Sequence, residues 1–382
     1  MPRIKSMKKR FCTFLSLSAF SLTASAIEIN AGQSTATIYG FAKLNMIYDV
    51  DARLGTFVTH KGIALDDENV AEGHTQFDAS HSRLGVKILT DTPRGAVTTV
   101  IEGDFNTPAG TGPFRLRHAY AQWNGIIAGQ YWTNFWGGLS TLPTLDHLGQ
   151  VGQGAVLRQP QLRYTSDGFS IALEDGGSWR GSVSSSSDPS ISPANKNELP
   201  DLTAKYQGKI GPAKAGISGV IRQIQYYDQA SNSEESGFGY GINVETQIPL
   251  SDLITLRGAI TYGQGMGGYQ YQNPSDPAYV DTDGDLEVID SFGTTLGLSL
   301  RAGPGSFNMG YGMSKADIDD AVEAGALSNA ENESYDSIYL NYIWSPMSGV
   351  TYGLEAGRHT REAQNGDDGE AVRVQAQVVY AF

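Results

Sequence analysis

Basic residues recur at alternate positions of short segments whose intervening residues are apolar. Lys43, for example, lies between Ala42 and Leu44. In β-strands such basic side chains share one face. Twelve basic residues take this face: Lys43, Arg83, Lys87, Arg115, Arg117, Arg163, Lys205, Lys214, Arg222, Arg257, Arg301 and Arg373. The same face carries five acidic residues: Glu102, Asp104, Glu174, Glu245 and Glu355. An enclosed surface with this excess of positive charge attracts anions, and arginine binds carboxylate or phosphate through two oxygens at once.

The elements that would position these residues are amphipathic strands. The segment 372–382 alternates apolar and polar residues with a period of two, and the pattern recurs along the chain. Seven short turns join such segments, at 92–95, 124–125, 167–168, 209–212, 250–252, 303–305 and 347–349. Eight longer polar stretches alternate with them, at 51–75, 106–113, 133–157, 175–198, 229–236, 266–287, 315–333 and 363–369. Fifteen connections join sixteen strands.

An even number of strands with alternating short and long connections is typical of an outer-membrane β-barrel. A sheet can span lipid only when it closes, because every backbone polar group must pair. The sequence therefore predicts an all-β fold, a 16-stranded antiparallel transmembrane β-barrel wide enough for a water-filled lumen. A soluble secreted β-sandwich or a β-helix is the alternative, and neither alternates its connections so regularly.

Residues 133–157, hereafter the constriction loop, differ from the other long loops. The loop is apolar and aromatic, with few charges. We expect it to fold into the barrel as the infolded third loop and to narrow the pore through Phe135, Trp136, Leu145 and Asp146. Packing at a contact between subunits is the alternative.

The N-terminus has the features of a secretory signal peptide. Five basic residues precede an apolar stretch from Phe11 to about Leu22, and Ala24-Ser25-Ala26 offers a cleavage site. We therefore expect a signal peptide over 1–26 and a barrel domain over 27–382, in the outer membrane of a Gram-negative bacterium. The chain would then carry 22 basic and 41 acidic residues, a formal charge of −19. Nucleic-acid binding is unexpected at that balance.

Signals for an enzyme or a metal site are weaker. The carboxylates of Asp281, Asp283, Asp285 and Glu287 surround a glycine in a long loop, which makes them a weak calcium candidate. Their spacing departs from that of an EF-hand, and an acidic solvated loop is the alternative. No histidine pair has metal-ligand spacing on a helix, and no serine lies in a nucleophile elbow. We expect no enzymatic activity and no cofactor.

Several segments together resemble the DcaP-like dicarboxylate-specific porin family of Gram-negative outer membranes. They run in family order, at 82–87, 102–105, 116–120, 128–132, 143–146, 158–165 and 172–174. The resemblance implies a homotrimer of 16-stranded barrels, each with an infolded third loop. Positions that match the family's basic pore residues are Arg83, Lys87, Arg117, Arg158 and Arg163. Arg158 has the wrong parity for the lumen by simple alternation.

Taken together, the residues and the resemblance predict a passive anion-selective channel for small organic anions such as dicarboxylates. Its surroundings would be outer-membrane lipid and lipopolysaccharide. A general diffusion porin or a phosphate-type anion porin is the alternative function. A structural or adhesive barrel, whose pore is incidental, is a third.

Overall fold

A computed structural model describes residues 26–382 except 66–67, 108–109, 156, 177–180, 186–197 and 229–231. The predicted signal peptide therefore lies outside the described residues, apart from Ala26. No helix among the described residues is both long and apolar enough to cross a membrane.

The described residues form 21 strands and one short helix. In the first half of the chain the strands are β1 (Ile27–Ala31), β2 (Ser34–Asp49), β3 (His74–Asp78), β4 (Arg83–Thr90), β5 (Val97–Thr107), β6 (Gly110–Trp123), β7 (Ile126–Trp132), β8 (Arg158–Ser166), β9 (Phe169–Glu174), β10 (Val183–Ser185) and β11 (Asp201–Ile210). In the second half they are β12 (Ala213–Asp228), β13 (Ser233–Pro249), β14 (Ile254–Gln264), β15 (Ala278–Val280), β16 (Leu286–Val288), β17 (Asp290–Ala302), β18 (Gly305–Asp317), β19 (Asn332–Met347), β20 (Val350–Ala363) and β21 (Asp368–Ala381). The helix, α1, is Asp319–Glu323, and single 3-10 turns lie at His60–Gly62 and Gly267–Tyr269.

Sixteen antiparallel wall strands close into a barrel, as the sequence predicts. Strands β3 and β4 are two segments of one wall strand, because both pair with β2 along the same edge. Each further wall strand pairs with its neighbour in chain order. The last strand, β21, pairs with β2 from Phe41↔Ala381 to Asp49↔Arg373 and completes the circle.

Three smaller elements lie outside this circle. Strand β1 forms a hairpin with the start of β2. Strands β10, β15 and β16 form a separate three-stranded sheet from two of the long loops. The helix α1 follows β18 and packs its Ala321 against Tyr279 and Ile318.

The seven predicted tight turns all join consecutive wall strands, and five of the eight predicted long connections are long. The predicted loops 106–113, 229–236 and 363–369 are wrong in length, because the flanking strands extend into them and leave connections of only two to four residues. Two of the turns show why these residues occupy them. Asn124-Gly125 has φ values of +46° and +84°, and Asp167-Gly168 has +50° and +85°. Positive φ at both central residues is the type I′ geometry, whose twist matches that of the two strands it connects.

The two faces of the wall differ in chemistry. Outward residues such as Leu162, Ile221 and Leu296 are more than half exposed. Inward residues of the same wall, such as Asn243 and Thr261, are polar and buried. Outward aromatic rings also contact one another near the tight turns, with 4.6 Å between the centroids of Phe307 and Tyr342 and 5.3 Å between those of Tyr342 and Trp344. An apolar outer band with aromatic rings at its border is typical of barrels in lipid.

Candidate functional site

The constriction loop folds into the barrel, and three carboxylates of the wall hold it there. Glu174 on β9 accepts hydrogen bonds from the Asn134 backbone N–H (2.6 Å) and the Thr133 hydroxyl (2.7 Å). Glu245 on β13 accepts the backbone N–H groups of Leu139 and Ser140, at 2.9 and 3.2 Å.

The third carboxylate belongs to Glu355 on β20. It accepts the Leu145 backbone N–H at 3.0 Å and the Thr144 hydroxyl at 2.9 Å. The loop therefore follows the inner wall from β9 to β20. The three acidic side chains point inward, but their carboxylate oxygens accept hydrogen bonds from the loop.

Glycines on the inner wall make room for the loop. A Cβ at Gly297 would lie 2.2 Å from the side chain of Leu142, and one at Gly312 would lie 2.3 Å from the Val151 carbonyl oxygen. Real Cβ atoms do not approach other atoms so closely, so the loop can lie against the wall only where a side chain is missing.

Two further loops pack against the constriction loop. In the sixth loop (265–289), the carbonyl oxygen of Tyr269 accepts the Ala155 N–H at 3.0 Å, and Tyr271 N–H donates to Gln153 at 3.0 Å. In the first loop (50–73), Val58 N–H donates to Asp146 Oδ2 at 2.6 Å. The loops cover the wall from β9 to β20. On the opposite wall, from β4 to β6, the tip of the constriction loop contacts Arg117, while Arg83 and Arg115 keep 23% and 36% of their side chains exposed.

This opposite wall carries a row of arginines with two acidic partners. Arg115 donates to both oxygens of Asp104, at 2.9 and 3.0 Å. Arg117 bridges Asp104 at 2.6 Å and Glu102 at 3.1 Å. Arg83 lies 3.3 Å from Glu102. Three guanidinium groups against two carboxylates leave this part of the wall positively charged.

A β-bulge explains how neighbouring residues on β6 both face inward. Glu102 pairs with His118, whereas the next residue of β5, Gly103, pairs with Leu116. Arg117 is therefore the extra residue, and the alternation reverses at this point. Arg117 and His118 are both buried in the barrel interior. Simple alternation of inward and outward residues would place His118 on the outer face of the barrel. That placement is wrong, because a β-bulge cannot be recognised from the two-residue period of the sequence.

Arg158 opens β8 on the same side of the barrel. Its guanidinium lies 4.4 Å from the ring centroid of Trp132, which is a cation–π distance. It interacts electrostatically with Arg117, Arg83 and Arg115, so it belongs to the row despite its outward parity. Arg158 is the first residue of β8, paired with Trp132 directly after the constriction loop, and this position at the end of the strand explains the exception.

Two more cations lie where the constriction loop leaves the wall. Arg163 donates to the Trp132 carbonyl oxygen, and its guanidinium lies 5.4 Å from the Tyr131 ring centroid. Lys205 on β11 donates to the Trp136 carbonyl oxygen at 3.1 Å. Within the parts of the chain that the structure describes, neither Arg158 nor Arg163 makes a salt bridge.

The other predicted basic residues lie apart from this row. Lys43 on β2 donates to the Leu145 carbonyl oxygen at 3.4 Å, at the far end of the loop. Lys87 and Arg301 lie on inward positions towards the tight turns, and Arg301 is exposed. Arg257 donates to the Ser299 hydroxyl at 2.9 Å.

Arg222 and Arg373 do not line the open lumen, which corrects the prediction. Arg222 donates to the Met266 carbonyl oxygen at 2.9 Å, under the sixth loop. Arg373 forms a two-oxygen salt bridge with Asp49, at 2.7 and 3.0 Å, and donates to Gly55 in the first loop. Their inward parity is right, but loops that the alternation could not reveal cover them.

The four predicted loop residues also have different positions. Phe135 is fully buried against Val220 and Met266, and Leu145 is fully buried as well. Both anchor the loop and are not lining residues, because their apolar side chains turn towards the wall. Trp136 is partly exposed, with its ring centroid 4.8 Å from that of Trp132. The Asp146 carboxylate accepts the hydrogen bond from the Val58 N–H of the first loop.

The tip of the constriction loop meets the opposite wall through histidines, a contact that the sequence pattern gave no reason to expect. The rings of His147 and His81 stack with centroids 3.8 Å apart, and Arg117 donates to His147 Nε2 at 3.4 Å. Burial, followed by the nearby His81 and Arg117, lowers the pKa of His147 well below its usual range. A neutral His147 is the form that can accept the Arg117 hydrogen bond.

The acidic loop does not form a calcium site. No group of three or more His, Cys, Asp or Glu side chains among the described residues is arranged to hold a metal ion. Asp281 Oδ1 instead accepts the backbone N–H groups of Asp283 and Asp285, both at 2.9 Å. Its carboxylate shapes a local turn.

Comparisons with solved structures support the barrel architecture. The outer membrane channel DcaP of Acinetobacter baumannii is similar over 94% of this chain and all of its own, with 22% identity and a TM-score of 0.79. An anion-selective porin from Comamonas acidovorans has 13% identity and a TM-score of 0.60, over 91% of this chain and all of its own. The trimer form of OmpT from Vibrio cholerae has 14% identity and a TM-score of 0.52, over 92% and 100%. At these identities the likeness shows the fold alone.

The sequence comparisons are more specific. A search of curated proteins gave no match. The sequence profile of the DcaP outer membrane protein family matches residues 8–252, which is more than half of the chain. With the closed barrel and its infolded loop, this match makes the chain an outer-membrane porin, and it belongs to the DcaP outer membrane protein family.

Proposed function

We propose that this porin is a passive, anion-selective channel for small organic anions such as dicarboxylates. The observation that carries the proposal is the row of Arg83, Arg115, Arg117 and Arg158, in which Arg83 and Arg115 keep 23% and 36% of their side chains exposed. Arg163 and Lys205 extend the positive surface along the edge of the constriction loop. Fixed positive charge in a narrow pore with low-dielectric walls attracts anions and repels cations.

The placement of the acidic residues supports the same function. The carboxylates of Glu174, Glu245 and Glu355 accept hydrogen bonds from the constriction loop, so they face its N–H donors and not the lumen. Glu102 and Asp104 are the two acids of the arginine row, and both are paired with arginines. Among the described residues of this wall, a permeating anion therefore meets guanidinium groups whose neighbouring carboxylates are already paired.

A spacing of several guanidinium groups along one wall favours anions with two charged ends. Arg83 lies on β4 and Arg115 on β6, on either side of β5, and both keep part of their side chains exposed. An arginine can offer two N–H groups to one carboxylate. Phosphate satisfies the same donors, so a phosphate-type anion channel is the second candidate. A general diffusion porin would pass small solutes without discriminating among these anions.

The test is a planar-bilayer measurement with the purified porin. A reversal potential in a salt gradient gives the ratio of anion to cation permeability, and we expect anions to dominate. Succinate, acetate and phosphate then serve as blockers of the chloride current, with succinate expected to block at the lowest concentration. A cation-selective reversal potential refutes the function. Equal block by all three refutes the preference for dicarboxylates.

We further propose that the barrel assembles as a homotrimer in outer-membrane lipid and lipopolysaccharide. The related fold of the trimeric Vibrio cholerae OmpT supports the assembly, and the apolar outer face supports the lipid contact. Native mass spectrometry of the detergent-solubilised porin should give three times the mass of the mature chain. A monomer at all detergent concentrations would exclude the trimer.

A further inference from the structure

Glu102 occupies the position of an anion between two of the pore arginines. Its Oε1 lies 3.1 Å from Arg117 Nε and 3.3 Å from Arg83 Nη1, and its Oε2 accepts the Tyr39 hydroxyl at 3.1 Å. A carboxylate held by two guanidinium groups and a hydroxyl is the coordination that a permeating carboxylate would seek.

Asp104 differs from Glu102 in its surroundings. Asp104 is fully buried, and its two oxygens are taken by Arg115 and Arg117 at 2.6 to 3.0 Å. Glu102 has longer contacts, and its partner Arg83 keeps about a quarter of its side chain exposed to the lumen. Asp104 therefore fixes the arginines in place, while Glu102 neutralises part of the charge that the lumen-facing Arg83 presents.

We propose that Glu102 is a specificity-determining residue that limits how tightly the arginine row holds a permeating anion. The proposal rests on the proposed anion-channel function. A bare row of guanidinium groups would bind a dianion tightly and release it slowly, whereas conduction requires binding weak enough for the ion to leave. The wall carboxylate lowers the affinity of the site and so shortens the time that each anion spends in the pore.

The test compares Glu102→Gln with the unchanged porin in single-channel recordings. Glutamine keeps the shape and one carbonyl acceptor for Arg117 but removes the charge. We expect succinate-induced blockades to last up to about fivefold longer, since one partly exposed ion pair contributes up to about that factor. We also expect the anion-to-cation permeability ratio to rise.

Glu370→Gln is the matched control. Glu370 pairs with Arg358 at 2.6 Å, with half of each side chain exposed, far from the arginine row in sequence and on another wall. The same loss of one negative charge there should leave blockade times unchanged. The double variant Glu102→Gln/Arg83→Gln restores the wall charge and should return the permeability ratio towards its original value.

The outcomes separate this proposal from the function on which it rests. A cation-selective unchanged porin would remove the proposed function itself. An anion-selective unchanged porin whose succinate blockades keep their duration in Glu102→Gln would overturn the role of Glu102 alone. Longer blockades in Glu370→Gln as well would also overturn it, because the effect would then follow total charge and not position.

Discussion

The hydrogen bonds that Glu245 accepts from the constriction loop predict the effect of replacing Glu245 by glutamine. Glu245 is buried, and one of its oxygens accepts two backbone N–H groups of the loop and the Ser140 hydroxyl. Its other oxygen accepts Gln207 Nε2 at 2.8 Å. Glutamine retains one carbonyl oxygen for the loop, but its amide nitrogen then opposes the donor of Gln207.

The magnitude follows from the contacts that are lost. A hydrogen bond to a charged group contributes about 1.5–3 kcal/mol, and a neutral one about 1 kcal/mol. Replacing the charged acceptor at position 245 by a neutral one should therefore destabilise the docked loop by about 2 kcal/mol. This is a factor of roughly 30 in the equilibrium between docked and detached loop. Glu174 and Glu355 still hold the two ends, so we expect the middle of the loop to detach briefly and not permanently.

Single-channel recording measures this directly. We expect the variant to insert into bilayers normally, with more open-channel current noise and a higher mean conductance because the pore is wider when the loop detaches. Glu370→Gln, on an exposed carboxylate, serves as control and should keep the original noise. Unchanged noise and conductance in the double variant Glu245→Gln/Glu355→Gln would show that the carboxylates do not hold the loop.

Three further predictions concern the wall and the tip of the loop. Arg117→Ala removes the partner that Glu102 and Asp104 share, while Arg83 and Arg115 still pair with them, so it should lower anion selectivity and the free energy of unfolding, the latter by about 1.5–3 kcal/mol; Arg358→Ala, on an exposed pair, should change neither. Gly312→Val should force the loop off the wall and raise conductance, whereas Gly219→Ala, whose Cβ would meet only one atom at 3.6 Å, should not. The pKa of His147 is lowered in the docked loop, so the released histidine binds a proton more readily. The docked tip is therefore fully stable above about pH 6.5 and loses stability as the pH falls below that value. Current noise should rise between pH 7 and pH 5, and an identical rise in His147→Gln would exclude this histidine as the cause.

The barrel itself could be predicted from the sequence because its signals are local. A period of two along each strand and a glycine or asparagine at each tight turn depend on a few adjacent residues. The count of sixteen strands followed from the number of connections, although three of the predicted long loops are short in the structure. The apolar character of the constriction loop was enough to place it inside.

The pore lining was harder to predict because parity says only which face a residue takes. Arg222 and Arg373 face inward as expected, yet the sixth and first loops cover them. The inward position of His118 and the place of Arg158 in the arginine row depend on a bulge and on a strand end. Inward-facing glycines such as Gly297 and Gly312 were the one sequence signal that could have marked the path of the loop.

The sequence by itself determined that the chain forms a closed barrel with a polar interior, because strand period and turn chemistry are properties of neighbouring residues. The tertiary structure alone decided which wall of that interior remains open. The contacts that decide it, from Glu174, Glu245 and Glu355 to the loop, join residues 40 to 211 positions apart. Such long-range pairing leaves no periodic trace in the chain, and it is this pairing that turns a ring of charges into one positive wall.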